Sequence, residues 1–471
     1  MSVTRRSFLR ISASIAALSC APRLEAAGTK PSPAGIAATP DHIRQQIDGF
    51  GFSEAFHQAR VIRLLSDKDQ DDLLTLMFSP NGGMGYSILR NEIGDGPEGA
   101  GKTDGTVASI EPKPDSFNWT GDEDQIWLMS EAKKRGCTRF LSSAWSPPAW
   151  MKTNNNSYAG ELKPDMYQQY ADYLAAYVLE YKKRYDLDIY AISPQNEPNF
   201  TPTEKYASCR WTGSQMAKFL RGNLIPTFAA KGVTAKIVVD EHEHWSDEMI
   251  NEILSDPVCD KAIDIVAAHA YAPTTAPYVS IEARTGRFET ALSQNKTIWQ
   301  TEVSAGDANI TNMNDGVYWA RVVHTHMIED NVSGWLYWWG AATTTSRSSL
   351  ITIDIPNKKY QLTKRFFTIG HFSRFIRPGY HRVDANPTPA PNTYFSAYLD
   401  PSGKRLVCVA INDDAVEHPL TIQCGGFTPN MCQPVRTSVT ETHARLPAIK
   451  AANGQIEVTT TPLSVTTFVI V

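Results

Sequence analysis

The sequence predicts an α/β protein: a (β/α)8 TIM barrel with a C-terminal β-sandwich side domain. Three observations predict it. Eight short apolar runs alternate with longer helical stretches, the pattern of a parallel sheet wrapped by helices. After Arg377-Pro378-Gly379 the helices stop and only alternating, strand-like runs remain. The 471 residues also exceed the roughly 250 of a typical barrel, which leaves chain for a second unit.

The elements follow in chain order. Thr4-Arg5-Arg6-Ser7-Phe8-Leu9-Arg10 precedes the apolar run Ile11 to Leu18. A twin arginine before a short apolar stretch is the pattern of a twin-arginine export signal, with Ala26-Ala27-Gly28 as cleavage point. Residues 1–27 are therefore expected to be removed, and the mature protein to be periplasmic or secreted. The run is far short of the ~20 residues a membrane span needs, so the mature form is expected to have no membrane partner. Thr29 to Pro40, rich in Pro, Ala and Gly, reads as a leader.

The eight barrel strands are expected at Gly49–Ser53, Tyr86–Arg90, Phe140–Trp145, Ile189–Gln195, Lys236–Asp240, Ile263–His269, Lys296–Glu302 and Gly334–Trp339, within residues 48–377. The clearest helix is Pro164–Tyr185. Tyr167, Tyr170, Tyr173, Leu174, Tyr177, Val178 and Tyr181 recur there at spacings of three and four, and Pro164 stands where a missing N–H costs nothing. The sandwich is assigned to residues 378–471, on runs such as Tyr394–Tyr398, Leu406–Ala410 and Val465–Val469.

Composition narrows the function classes. Net charge is −5, which speaks against a nucleic-acid or anionic-membrane partner. Without Cys20 of the export signal, six cysteines remain, and none has the paired spacing of a zinc site. Cys424 and Cys432 are the candidate disulfide, with free thiols as the alternative. No cofactor is expected. A metal centre at Glu241-His242-Glu243-His244 is a rival reading. Without a further matching cluster, that run is expected to be a solvated loop, and no metal is assigned.

Barrel chemistry sits where strands end at the C-terminal face. The fourth strand runs into Asn196-Glu197-Pro198 and the seventh ends in Trp299-Gln300-Thr301-Glu302. Strands four and seven lie across an eight-stranded barrel, so Glu197 and Glu302 are placed to flank one bond. Glycoside hydrolysis needs that pair: one carboxyl protonates the leaving oxygen and an ionised one attacks the anomeric carbon. The blander reading pairs each glutamate with an arginine such as Arg90. Two strand-end glutamates in this register favour catalysis.

With these residues in view, the sequence resembles glycoside hydrolase family 30, in the branch of bacterial and fungal xylanases. The matching stretches are Ile47-Asp48-Gly49-Phe50-Gly51, Tyr86–Arg90, Ser142–Lys152, Asn196-Glu197-Pro198, Trp299–Glu302, Tyr337-Trp338-Trp339, His371–Tyr380 and Ser464–Val469. The resemblance implies Glu197 as acid/base, Glu302 as nucleophile, and retention at the anomeric carbon. It also implies that the side domain takes a strand from just before Ile47, within residues 28–47.

Asn196 is expected to bind a sugar hydroxyl. Trp145, Tyr271, Trp338 and Trp339 fall at strand ends, and stacking on sugar rings is expected for Trp145 and Trp338. Core packing is an equal alternative for Trp339, because strand neighbours point opposite ways. Arg90 and His269 are candidates either to orient Glu302 or to bind a hydroxyl. The partner is expected to be a polysaccharide, xylan first and a β-1,6-linked glucan or galactan second, acted on by a monomer. Family members that require glucuronic acid branches carry an arginine pair after strand eight. This chain has Gly340-Ala341-Ala342-Thr343 there, with Arg347 nearest. A non-catalytic sugar-binding protein is the reading from another class.

Overall fold

The computed structural model describes residues 34–96, 107–202, 206–272, 278–305, 312–344 and 348–471. The twin-arginine segment, its cleavage point and Arg347 lie outside the described residues.

Strand β1 is Ala34–Gln46, so residues 34–40 of the stretch expected to be a mobile leader are strand instead, held by pairing with the side domain. The next eight strands are β2 (Gly49–Ser53), β3 (Ile88–Ile93), β4 (Arg139–Ala144), β5 (Ile189–Ser193), β6 (Lys236–His242), β7 (Ile265–His269), β8 (Thr297–Glu302) and β9 (Val332–Thr343). They pair in parallel in that order, and β9 closes the ring by pairing with both β8 and β2. All eight expected barrel strands are present, with ends shifted by a few residues.

The helix expected over Pro164–Tyr185 is a 3-10 turn, Pro164–Met166, followed by an α-helix, Tyr167–Tyr185. Its tyrosines at three- and four-residue spacing are the buried face, packed against the sheet. Inside the ring, Ile88, Leu141, Ala191, Val238, Ile265, Trp299 and Leu336 fill the lower half, so the barrel is a packed core with one open end. Gly334 makes room for the Trp299 ring: a Cβ there would lie 2.6 Å from it.

A hairpin absent from the sequence reading follows β9. Strand β10 (Ser349–Asp354) pairs with the far end of β9 and β11 (Lys359–Leu362) folds back on β10. The unusual length of β9 makes this possible, because its second half extends past the barrel rim.

The remaining strands are β12 (His381–Asp384), β13 (Thr393–Leu399), β14 (Leu406–Asn412), β15 (His418–Cys424), β16 (Met431–Thr437), β17 (Ala444–Arg445), β18 (Ile449–Lys450), β19 (Gln455–Thr460) and β20 (Ser464–Ile470). Strand β1 joins them, antiparallel to β12 and parallel to β15. Strand β14 is buried on both faces. Leu406, Cys408 and Ala410 point into the sandwich, while Val407, Val409 and Ile411 join the barrel core. Polar ties also cross that boundary: His371, on the helix Lys364–Ser373, bonds Thr467 Oγ1 at 2.8 Å and Thr437 Oγ1 at 2.9 Å.

Among the described residues the cysteines do not pair. Cys424 and Cys432, the candidate disulfide, are buried free thiols in the sandwich core together with Cys408, and Cys137, Cys209 and Cys259 are buried free thiols in the barrel core. A core of this size holds together without cross-links. Among the described residues no helix is long and apolar enough to cross a membrane.

Candidate active site

The open end of the barrel collects the strand ends that the sequence singles out. Glu197 lies four residues beyond β5, with a left-handed backbone at φ 44°. Its N–H donates to Glu241 O at 3.0 Å, and that of Asn196 donates to Ala144 O at 2.7 Å. The end of β5 is thus pinned to the strands on either side. Glu241 carries the same left-handed kink, at φ 46°. Such a conformation costs a non-glycine residue on the order of 1 kcal/mol, and here two adjacent strands share it.

One oxygen of Glu197, one ring nitrogen of His269 and one oxygen of Glu302 lie within 4.8 Å of one another. The donors to each carboxylate differ. Glu302 accepts from Arg90 Nη1 at 2.6 Å and from Tyr271 Oη at 2.8 Å. Glu197 accepts from Tyr206 Oη at 2.8 Å and from His269 Nδ1 at 3.1 Å. Glu302 therefore faces a permanent cation, while Glu197 faces a phenol and an imidazole, one neutral and one titratable. Burial pushes the Glu302 carboxyl up. His269 and Arg90 pull it back, the charge of Glu197 lifts it again, and the net direction is upward.

Arg90 and His269 are fully buried beneath this pair. Arg90 also donates to Asn196 Oδ1 at 2.6 Å and to Ser143 Oγ at 3.2 Å, and lies 3.1 Å from Glu241 Oε1. Neither Arg90 nor His269 is placed to meet a ligand directly; both contact the glutamates. The oxygen of Asn196 is committed to Arg90, so its amide NH2 is the group it can offer a hydroxyl.

Glu241 overturns part of the sequence reading. The run Glu241–His244 was expected to be solvated, yet Glu241 and His242 are buried on β6, and only Glu243 and His244 emerge. Glu241 is a third carboxylate under the site. Burial opposes its charge, but the Arg90 guanidinium and His269 outweigh burial and hold the carboxyl well below the usual range. Among the described residues, the grouping of metal-ligand type is Glu197, His269 and Glu302, not this run. Arg90 and His269 already bring positive charge there.

Of the aromatic residues, Trp145 is only 2% exposed. The Arg90 guanidinium sits 4.5 Å from its ring centroid, and Phe56 and Trp338 pack around it. Trp145 thus forms the floor and presents no open face for stacking. Trp338 and Trp339 are both half-buried, with ring centroids 5.2 Å apart and planes tilted by 22°. Strand alternation would send them to opposite sides. A bulge prevents it, since Phe52 pairs with Tyr337 and Ser53 with Trp339, so Trp338 is the extra residue. Tyr206 carries no local signal in the sequence and was missed.

The comparisons agree with this fold. The model of glycosyl hydrolase family 59 matches residues 48–355. The glucuronoxylanase XynC of Bacillus subtilis is 26% identical over 329 residues, 68% of this chain and 70% of that protein. The lysosomal acid glucosylceramidase of Mus musculus is 26% identical over 415 residues, 81% of this chain and 78% of that protein. Among solved structures, the catalytic domain of the GH30 xylanase C of Talaromyces cellulolyticus matches with a TM-score of 0.80 at 26% identity, covering 93% of this chain and all of that one. The chain belongs to the glycosyl hydrolases that the family 59 model describes; it is a glycosidase, and it is similar to the xylanases of family 30.

Proposed function

We propose that the protein hydrolyses β-1,4-xylan with retention of anomeric configuration, Glu302 acting as nucleophile and Glu197 as acid/base. The observation that carries this reading is the approach of the two carboxylates, with one oxygen of each within 4.8 Å. Retaining enzymes hold their carboxyl groups about 5–5.5 Å apart. Inverting ones leave about 6.5–9.5 Å for a water. Each carboxylate has a donor suited to its part. Arg90 favours an ionised Glu302 that attacks the anomeric carbon. Glu197, next to His269 and Tyr206, gives its proton to the departing oxygen and takes one back from the water that frees the sugar from Glu302.

The xylan substrate rests on the glucuronoxylanase and xylanase relatives. Dependence on glucuronic acid branches is not part of the proposal, because Gly340–Thr343 offers no arginine. Export through the twin-arginine segment is part of it, since the polymer lies outside the cell, and so is action as a monomer.

Glucuronoxylan, arabinoxylan and a β-1,6-glucan are to be compared as substrates. Both xylans are expected to release reducing sugar, and NMR to show the β-anomer first. Glu302→Ala is expected to lower turnover by at least about a thousandfold. First appearance of the α-anomer sinks the mechanism; turnover of β-1,6-glucan alone sinks the substrate; no turnover of any glycan makes the protein a sugar binder.

A further inference from the structure

The face of the barrel opposite the carboxylates carries a groove of about 530 Å³, where barrel and sandwich meet. Chain order fixes its place. Pro80 and Asn81 line it between the helix Asp67–Phe78 and the start of β3, at the strand N-termini. The chain leaving the helix Lys364–Ser373 supplies a second wall, and strands β14, β16 and β20 a third.

Four arginines line this groove, Arg374, Arg377, Arg405 and Arg445, and no aspartate or glutamate does. Elsewhere arginines find carboxylates: Arg90, Arg365 and Arg436 each lie 2.6 Å from one. Among the described residues none of the four guanidinium groups has a carboxylate within 4.0 Å, although the backbone N–H of Arg405 donates to Asp400 Oδ1 at 2.8 Å. What holds them is neutral. Arg377 donates to the backbone oxygens of Gly85 and Ser373, and Arg445 Nε donates to Gln433 Oε1 at 2.8 Å. These bonds fix the side chains without cancelling their charge. On a chain of net charge −5, four guanidinium groups without a direct ion pair around one depression form a local positive field.

The groove also has an aromatic face. Phe375 stacks on the His443 ring, with centroids 6.0 Å apart and planes 17° apart, and the Arg374 guanidinium lies 5.4 Å from the Phe375 centroid. Guanidinium forks take carboxylates in pairs of hydrogen bonds, and the edge of a half-buried phenyl ring adds apolar contact beside them. The volume is in the range of sites that take several linked rings, well beyond one small ion.

We propose that this groove is a second, non-catalytic binding site for a glycan chain bearing carboxylates, of the uronate type. It stands apart from Glu197 and Glu302 and does not depend on the reading of their chemistry. A chain held there stays on the enzyme while the barrel mouth works elsewhere on the same polymer.

The test is calorimetric titration of the full chain with an oligogalacturonide, which contains no xylosidic bond and so reports binding whatever the enzyme cuts. A neutral xylo-oligosaccharide and inorganic phosphate serve as comparison titrants. The native protein is set against Arg405→Gln/Arg445→Gln, whose two positions are exposed and carry no ion pair. The oligouronide is expected to bind the native chain, more weakly as salt is added. The double variant is expected to lose at least about tenfold in affinity while keeping its turnover of neutral substrate. Equal affinity in the two proteins overturns the proposal. So does phosphate binding as tightly as the oligouronide and displacing it, which would make the groove a simple anion site.

Discussion

Arg90 and Glu302 meet at 2.6 Å, and the same guanidinium lies 3.1 Å from Glu241. One cation therefore serves two carboxylates that come from different strands. Glu241 settles the charge of Arg90, which settles the position of Glu302. Glu241 touches no substrate in this scheme and acts as a positioning residue.

Glu241→Gln removes one charge from that buried cluster. Breaking a buried ion pair from one side costs roughly 3–5 kcal/mol, so the variant's urea midpoint is expected to drop clearly. Its kcat is expected to fall about tenfold or more, with KM changed much less, because the loss falls on Glu302 and not on sugar contacts. A KM effect larger than the kcat effect would contradict this.

Tyr271 donates to Glu302 Oε1 at 2.8 Å, and that bond favours the ionised carboxylate. In Tyr271→Phe the Glu302 carboxyl is expected to rise further above its ordinary value. The nucleophile must be ionised, so the acid limb of kcat/KM moves to higher pH. A pH–rate profile of the two proteins reads this; an unmoved acid limb would remove Tyr271 from the scheme.

His269 is surrounded by three carboxylates. Burial alone would strip its proton, but the charge of Glu302 and the contacts with Glu197 and Glu241 more than offset burial and lift the imidazole to about 9. A folded pKa above the ordinary 6.5 means that its stabilisation is complete below about pH 6.5 and is lost as pH rises through about 9. The native protein is expected to lose urea stability between pH 7 and pH 10, and His269→Gln to lose much less over the same interval.

The bulge at Trp338 implies that two consecutive rings share one side of the strand. Trp338→Ala and Trp339→Ala are both expected to raise KM on polymeric substrate by about tenfold, a typical cost of losing one ring contact. Normal binding by Trp339→Ala would show that ring to be packing alone.

Much of this was legible beforehand, because it rests on local pattern. Apolar runs set off by helices mark each barrel strand, and a strand that ends in Glu197 or Glu302 already places the carboxylate at the mouth. What escaped depends on contacts between distant residues. Glu241 sits in a polar run that reads as loop, and only the arriving Arg90 and His269 make its burial tolerable. Tyr206 is nine residues past Glu197 with no periodicity around it. Trp145 occupies a strand end as expected, but Arg90 and Phe56 cover it. The bulge beside Trp339 depends on how Phe52 and Ser53 register against β9, which neither strand encodes alone.

Strand β1 has a consequence for how the molecule comes into being. Thr39 bonds Asp384, 345 positions away, and the segment from Ala34 to Ala38 lies along Leu420 to Cys424. The first described strand leaves the ribosome hundreds of residues before any of its partners exist. The sandwich cannot close until the whole barrel has been made, and residues 378–471 expressed by themselves would lack the strand that bridges β12 and β15. Synthesis order and assembly order thus run against each other, and a barrel truncated at either end loses more than the residues removed.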